Sequence, residues 1–188
     1  MNIVVRTADG QIFVRPDVTL ERNSEDLYPP EFVQQLSYTP TLYARICKPG
    51  KSIAAKFADR YYDGFNFGIM LYADDLIGAS PEGFACASCL DHTTFLPLMT
   101  YSKEVLGHSG NIFCLKKGGE ILFECSAPSR SEVEVALEDA SRYVPVRSGD
   151  FLAIELAPRK PLCTRADGEV EIDAEFCENK LLNFKIKL

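Results

Sequence analysis

The sequence predicts a β-dominated α+β fold, and three observations carry that prediction. About eight β-rich runs are separated by turn residues. Two short helical patterns are inserted among them rather than alternating with them. The run NIFCL-KKGG-EILFEC places a Gly-Gly turn between two apolar, β-rich segments, which is a hairpin in itself. A chain of 188 residues, 46% hydrophobic and 25% charged, is expected to form one domain over 1–188 with a buried core.

The elements follow in order. Asn2 to Val5 and Gln11 to Val14 read as a hairpin turning at Asp9-Gly10, the second strand stopped by Pro16. A polar stretch containing Pro29-Pro30 leads to a strand at 37–47. Alternation there puts Thr39, Thr41, Tyr43, Arg45 and Cys47 on one face and Tyr38, Pro40, Leu42, Ala44 and Ile46 on the other. Lys48-Pro49-Gly50-Lys51 is turn chemistry, and Ser52 is placed to cap a short helix through Arg60. The apolar run FGIMLYA, 67–73, reads as a buried strand, and 78–100 as one long loop. Ser131 and Glu134 have capping-box spacing and open a helix to about Tyr143, with Val133, Ala136, Leu137 and Ala140 on one face. SGDFLAIEL, GEVEIDAEF and LLNFKIKL give three further strands.

The net charge of −7, without clustered basic residues, argues against sequence-independent nucleic-acid binding. No apolar run reaches the ~20 residues of a membrane span, and the N-terminal residues do not read as a secretory signal, so a cytoplasmic protein is expected. Seven cysteines, an odd number, do not suggest a disulfide framework. Cys47, Cys114, Cys125 and Cys177 lie in or beside apolar runs and read as small buried hydrophobes.

Among candidate sites, Cys86, Cys89 and His92 in CASCLDH have the spacing of half a zinc site, with Asp91 as a possible oxygen ligand. A loop with two reduced thiols is the plainer reading. Asp74 and Asp75 are adjacent; on a strand they would face opposite ways, which favours capping or salt-bridging over catalysis. Glu169, Glu171 and Asp173 alternate and read as a solvated sheet face.

Several stretches together resemble the fumarylacetoacetate hydrolase family, in particular its small single-domain bacterial members. They are IFVRPD (12–17), ARICKPGKSIAAKFADRYYD (44–63), GIMLYADDL (68–76), LKKGGEILFECSAPS, VEVALEDASRYVPVRSGDFLAIEL and LLNFKIKL. The resemblance implies a mixed β-roll or β-sandwich with short helices and commonly a homodimer. It also implies Mg²⁺- or Mn²⁺-dependent chemistry on 2-oxo or 1,3-dicarbonyl acids, with the metal held by a Glu-x-Glu pair and a later Asp. Aligned residue by residue, those ligand positions fall on Thr39, Thr41 and Met70. A lysine of the family pattern falls on Arg15, and its Gly-Thr-Pro turn on Glu155-Leu156-Ala157. The N-terminal lid segment is expected to be missing.

Two hydroxyls and a thioether supply no charge and the wrong donors for a hard cation. The expectation is therefore a catalytically silent or impaired homologue, needing no cofactor. It would bind a small carboxylic acid through Arg15, Asp75, Asp91 or Glu155, or pair with itself or a related subunit. Two alternatives stand beside it. One is an active hydrolase, lyase or tautomerase whose Mg²⁺ or Mn²⁺ site is rebuilt with Glu155, Asp91 or His92; the other is a thiol zinc or redox module at Cys86, Cys89 and His92.

Overall fold

The expected hairpin opens the fold: β1 (Asn2–Arg6) and β2 (Ile12–Pro16) pair antiparallel around a turn at Gly10, whose φ of 87° suits glycine. The computed structural model describes residues 1–188. The chain continues through β3 (Leu20–Glu21), β4 (Gln35–Ile46), α1 (Ala55–Ala58) and β5 (Tyr62–Ala73). Next come α2 (Asp74–Ala79), α3 (Gly83–Ser88), β6 (Thr94–Phe95) and β7 (Tyr101–Ser102). Then follow β8 (Ile112–Lys117), β9 (Glu120–Ser126), α4 (Arg130–Tyr143), β10 (Phe151–Glu155), β11 (Lys160–Thr164), β12 (Glu169–Phe176) and β13 (Asn179–Lys187). No helix is long and apolar enough to cross a membrane.

Nine strands form a large sheet in the order β2-β1-β10-β4-β5-β6-β3, with β11 on β4 and β7 on β5. β1 runs parallel to β10, Ile3 beside Phe151, so residues far apart in the sequence are neighbours. Four strands form a second sheet, β13-β12-β8-β9. The two faces of the large sheet do different work. One buries Phe65, Phe67, Ile69 and Leu71 of β5 against the smaller sheet, and Val4 and Leu152 among the apolar residues of α4. Phe67 stacks on Phe113 of β8, with ring centres 4.5 Å apart and planes 9° apart. The opposite face, the inner one, carries Ile3, Val5, Tyr43, Met70, Tyr72, Phe151 and Ala153.

Several expectations are corrected. The helix expected from Ser52 through Arg60 shrinks to the single turn of α1. Ser52 has φ of 51°, unsuited to an N-cap, and its N–H is held by the Ser141 carbonyl of α4. The region 78–100 holds the end of α2, all of α3, and β6. Gly83 makes this possible: a Cβ there would stand 1.9 Å from the Leu76 carbonyl oxygen. β5 ends at Ala73, so Asp74 and Asp75 open a helix rather than alternate on a strand. β11 was hidden by Pro161; it pairs with β4 alone and bulges after Pro161, where a sheet tolerates proline. Cys47 is exposed, and all seven cysteines are free.

The capping box of α4 uses Ser129 and Glu132, two residues before the expected pair. The Ser129 side chain accepts from the Glu132 N–H, and the Glu132 carboxylate accepts from the Ser129 N–H at 2.6 Å. Ser129→Ala is expected to cost about 1 kcal/mol, read in urea unfolding, whereas Ser131→Ala should leave the midpoint in place.

Candidate functional site

The site is built by strand register on the inner face. Thr41 lies across from Glu155 of β10 and from Gly68 of β5; Thr39 lies across from Met70, and Met70 from Thr94 of β6. Residues directly opposed in a ladder share a face, so Thr39, Thr41, Met70 and Glu155 converge there with Tyr72. Gly68 leaves a gap that the 94–96 segment fills: an added Cβ would stand 2.1 Å from the Phe95 carbonyl oxygen. Thr39 and Thr41 are wholly buried. The Thr41 hydroxyl donates to the Thr39 carbonyl at 3.2 Å, while the Thr39 hydroxyl has no partner.

Arg15, on β2, points to the same face and is wholly buried. One terminal nitrogen donates to the Thr93 carbonyl (3.0 Å) and the Thr94 hydroxyl (2.6 Å); the other donates to the Leu71 carbonyl (2.6 Å). The guanidinium also lies 4.5 Å from the centre of the Tyr72 ring. Burial pulls the Arg15 pKa below its ordinary value. β2 and β6 stand far apart in the order of strands. An arginine from one that bonds the other therefore ties a strongly curled sheet across its interior. Thr94 faces Met70, so this fixed positive charge sits beside the positions aligned with metal ligands.

That donor set does not fit Mg²⁺ or Mn²⁺. Two neutral hydroxyls and a thioether bring no negative charge, and the thioether is a soft donor unsuited to a hard cation. No three His, Cys, Asp or Glu side chains anywhere are grouped to hold a metal ion.

At the Glu155 end the inner face opens into a cavity of about 680 Å³. Phe13, Ile77 and Phe84 form an apolar wall; Tyr72, Glu155 and Arg159 are its principal polar groups. Phe84 packs edge-on against Phe13 at 5.0 Å. The Tyr72 hydroxyl donates to Glu155 Oε1 at 2.6 Å, and the Ala8 N–H to Oε2 at 3.3 Å. Burial pushes the Glu155 carboxyl above the usual carboxylate range, opposed by the Tyr72 hydrogen bond and the Arg15 charge. Burial likewise pushes the Tyr72 phenol up. The Arg159 guanidinium lies 5.6 Å from the Tyr72 ring centre and 3.9 Å from the Asp74 carboxylate. This arrangement can hold a charged small molecule by both signs of charge and hold a proton at Glu155.

The other sequence candidates are elsewhere. Arg15 is spent on backbone and threonine oxygens inside the sheet and does not reach the cavity wall. Asp75 accepts from the N–H groups of Gln34 (2.8 Å) and Gln35 (3.1 Å), and Asp74 from the Ser37 hydroxyl (2.7 Å), so both carboxylates fasten α2 to β4. Asp91 and His92 line a separate cavity of about 180 Å³ and do not join Glu155. His92 lies 3.6 Å from Asp91 and 3.8 Å from Glu21. Cys86 and Cys89 are exposed at the end of α3 and do not assemble with His92 as a metal-holding group. Glu169, Glu171 and Asp173 meet Lys185, Asn183 and Lys180 on an open sheet face. Sequence reasoning missed Tyr72 and Arg159. Tyr72 was findable, lying two residues beyond Met70 and hence on its face; nothing marks Arg159 within a proline-flanked turn.

No protein-family model matches this chain, and no curated protein does. Solved structures do share its fold. Fumarylpyruvate hydrolase from Pseudomonas aeruginosa, solved in complex with Mn²⁺ and pyruvate, is 15% identical, covering 100% of this chain and 90% of its own, with a TM-score of 0.78. The 2-hydroxyhepta-2,4-diene-1,7-dioate isomerase from Mycobacterium marinum is 15% identical over 99% of this chain and 74% of its own, at 0.80. A protein from Yersinia pestis CO92 assigned to the fumarylacetoacetate hydrolase family is 14% identical over 98% of this chain and 91% of its own, also at 0.78.

Proposed function

Starting from a fold shared with fumarylacetoacetate hydrolase family proteins, we propose that this chain is a metal-independent homologue that binds a small carboxylic acid in the cavity beside Tyr72, Glu155 and Arg159. One observation carries the reading: the three positions aligned with metal ligands are Thr39, Thr41 and Met70, all buried and all neutral. Loss of a metal site leaves the fold's acid-sized cavity intact, with Arg159 as the cation on its wall. On this reading the chain works in the cytoplasm, as a homodimer or paired with a related subunit.

A second reading keeps turnover of a 2-oxo acid, and Glu155 favours it. Burial holds its carboxyl above the usual range and it sits directly across from Thr41, which suits it to take up a proton without a metal.

One experiment addresses both readings. Purified protein is titrated with Mn²⁺, followed by electron paramagnetic resonance, and then with pyruvate and longer 2-oxo acids, followed by amide shifts and substrate decay. The expected result is no stoichiometric Mn²⁺ together with acid-dependent shifts around Tyr72 and Glu155. One equivalent of bound Mn²⁺ with metal-stimulated decay would overturn the proposal. Metal-independent decay that disappears in Glu155→Gln would establish the second reading in its place.

A further inference from the structure

Glu155 stands in the cavity without an ionic partner. Its carboxylate accepts from the Tyr72 hydroxyl and the Ala8 N–H, and no lysine, arginine or histidine nitrogen lies within ion-pairing distance of it. Arg159, on the same wall, is held only loosely by Asp74 at 3.9 Å and is not paired with Glu155. Both groups flank one aromatic ring: Glu155 bonds the hydroxyl of Tyr72, and Arg159 lies near its ring centre. The cavity thus offers a carboxylate with no ion-pair partner and a loosely paired guanidinium beside an apolar wall of Phe13, Ile77 and Phe84.

The balance of charge narrows the ligand. Asp9 and Glu155 line the cavity with Arg159, and Asp74 stands beside Arg159. The charge of the buried Arg15 acts on Glu155 from beside the Tyr72 ring, so the negative groups still outnumber the positive by one. A simple carboxylate would satisfy Arg159 yet add negative charge next to an unpaired, half-buried Glu155. A simple amine would satisfy Glu155 and leave Arg159 with only its loose partner. A zwitterion answers both groups, adds no net charge, and leaves its side chain for the aromatic wall.

We propose that the ligand is an α-amino acid with an apolar side chain, its ammonium on Glu155, its carboxylate on Arg159 and its side chain against Phe13, Ile77 and Phe84. The proposal rests on the small-acid reading above and names the class of acid.

The test is a ligand series on the unsubstituted protein, titrated by isotope-edited amide shifts at Ala8, Tyr72 and Glu155. The probes are L-phenylalanine, 3-phenylpropanoate, which lacks the amine, and phenethylamine, which lacks the acid. L-Phenylalanine is expected to bind at least about tenfold tighter than either analogue, the worth of one charge-assisted hydrogen bond. Glu155→Gln should remove that advantage and leave 3-phenylpropanoate no weaker, whereas Arg159→Met should weaken both acids and spare phenethylamine. Equal or tighter binding of 3-phenylpropanoate would overturn the zwitterion while leaving the small-acid reading in place. Binding of phenethylamine alone, or of no probe, would overturn the amino acid, and the small-acid reading would then be decided by the titration with pyruvate and longer 2-oxo acids. The comparison on the unsubstituted protein decides the matter even if a variant folds poorly.

Discussion

Arg15→Ala is expected to lower the stability of this protein by about 4 kcal/mol, in the range for removing one partner from a buried charged network. The guanidinium satisfies three oxygens in the closed interior, those of Leu71, Thr93 and Thr94, and the first two are backbone carbonyls that cannot turn away. The Thr93 carbonyl still accepts from the Leu71 N–H, and the Thr94 hydroxyl still has Thr19. The loss is therefore of charge-assisted bonds worth roughly 1.5–3 kcal/mol each, and relief from burying the guanidinium offsets only part of the sum. Lysine should not rescue the loss, because one ammonium on a flexible stem cannot span acceptors arranged for a planar fork. Urea unfolding monitored by circular dichroism checks the value. If Arg15→Met proved as stable as the parent, the arginine would be dispensable as a tie and its burial would need a functional reason.

Phe67→Ala is expected to cost a similar amount, about 3–5 kcal/mol, for an unrelated reason. Phe67 lies where the two sheets meet, stacked on Phe113 and 4.8 Å from the ring of Phe176, with Phe65 edge-on at 5.9 Å. Removing it opens a void lined by rings anchored in β8 and β12, which cannot collapse without moving the smaller sheet. Phe57→Ala is the control: that ring is 45% exposed, and its loss should stay within about 0.5 kcal/mol. A shift below about 1 kcal/mol at Phe67 would mean that the sheets hold together by other contacts.

Local chemistry made much of this fold legible. The Gly118-Gly119 turn between two apolar runs is β8–β9, the Asp9-Gly10 turn is β1–β2, and the apolar stripe from Val133 to Ala140 is the buried side of α4. Where two local solutions were equally good, the sequence did not choose between them. Ser129…Glu132 and Ser131…Glu134 both have capping-box spacing, and only the path of the chain entering α4 selects the first.

The site was legible by halves. Alternation along β4 put Thr39 and Thr41 on one face, and alignment brought Glu155 to them, as the register of β10 on β4 does. Arg15 was placed among ligand-facing residues because it aligns with a lysine of the family pattern, and Asp75 because it lies in the aligned stretch GIMLYADDL. Whether backbone oxygens or N–H groups will absorb either charge depends on segments 56 to 79 residues away for Arg15 and about forty for Asp75. Arg159 reaches Tyr72 because β11 pairs with β4, Lys160 beside Tyr38, and β4 with β5, Ser37 beside Tyr72, adjacencies no local pattern encodes.

The parallel pairing of β1 with β10 has a consequence for how the protein is made. As the chain leaves the ribosome, Ile3, Val4 and Val5 emerge early, but their partners Phe151, Leu152 and Ala153 emerge only after most of the chain has been synthesised. Until then the β1–β2 ribbon waits with one apolar edge unpaired, the kind of surface that invites association between nascent chains. Closing so long a loop is slow, and parallel pairing gives no short route around it. β1 is made long before the strand that secures it, and an apolar edge open for that interval is exposed to association between chains.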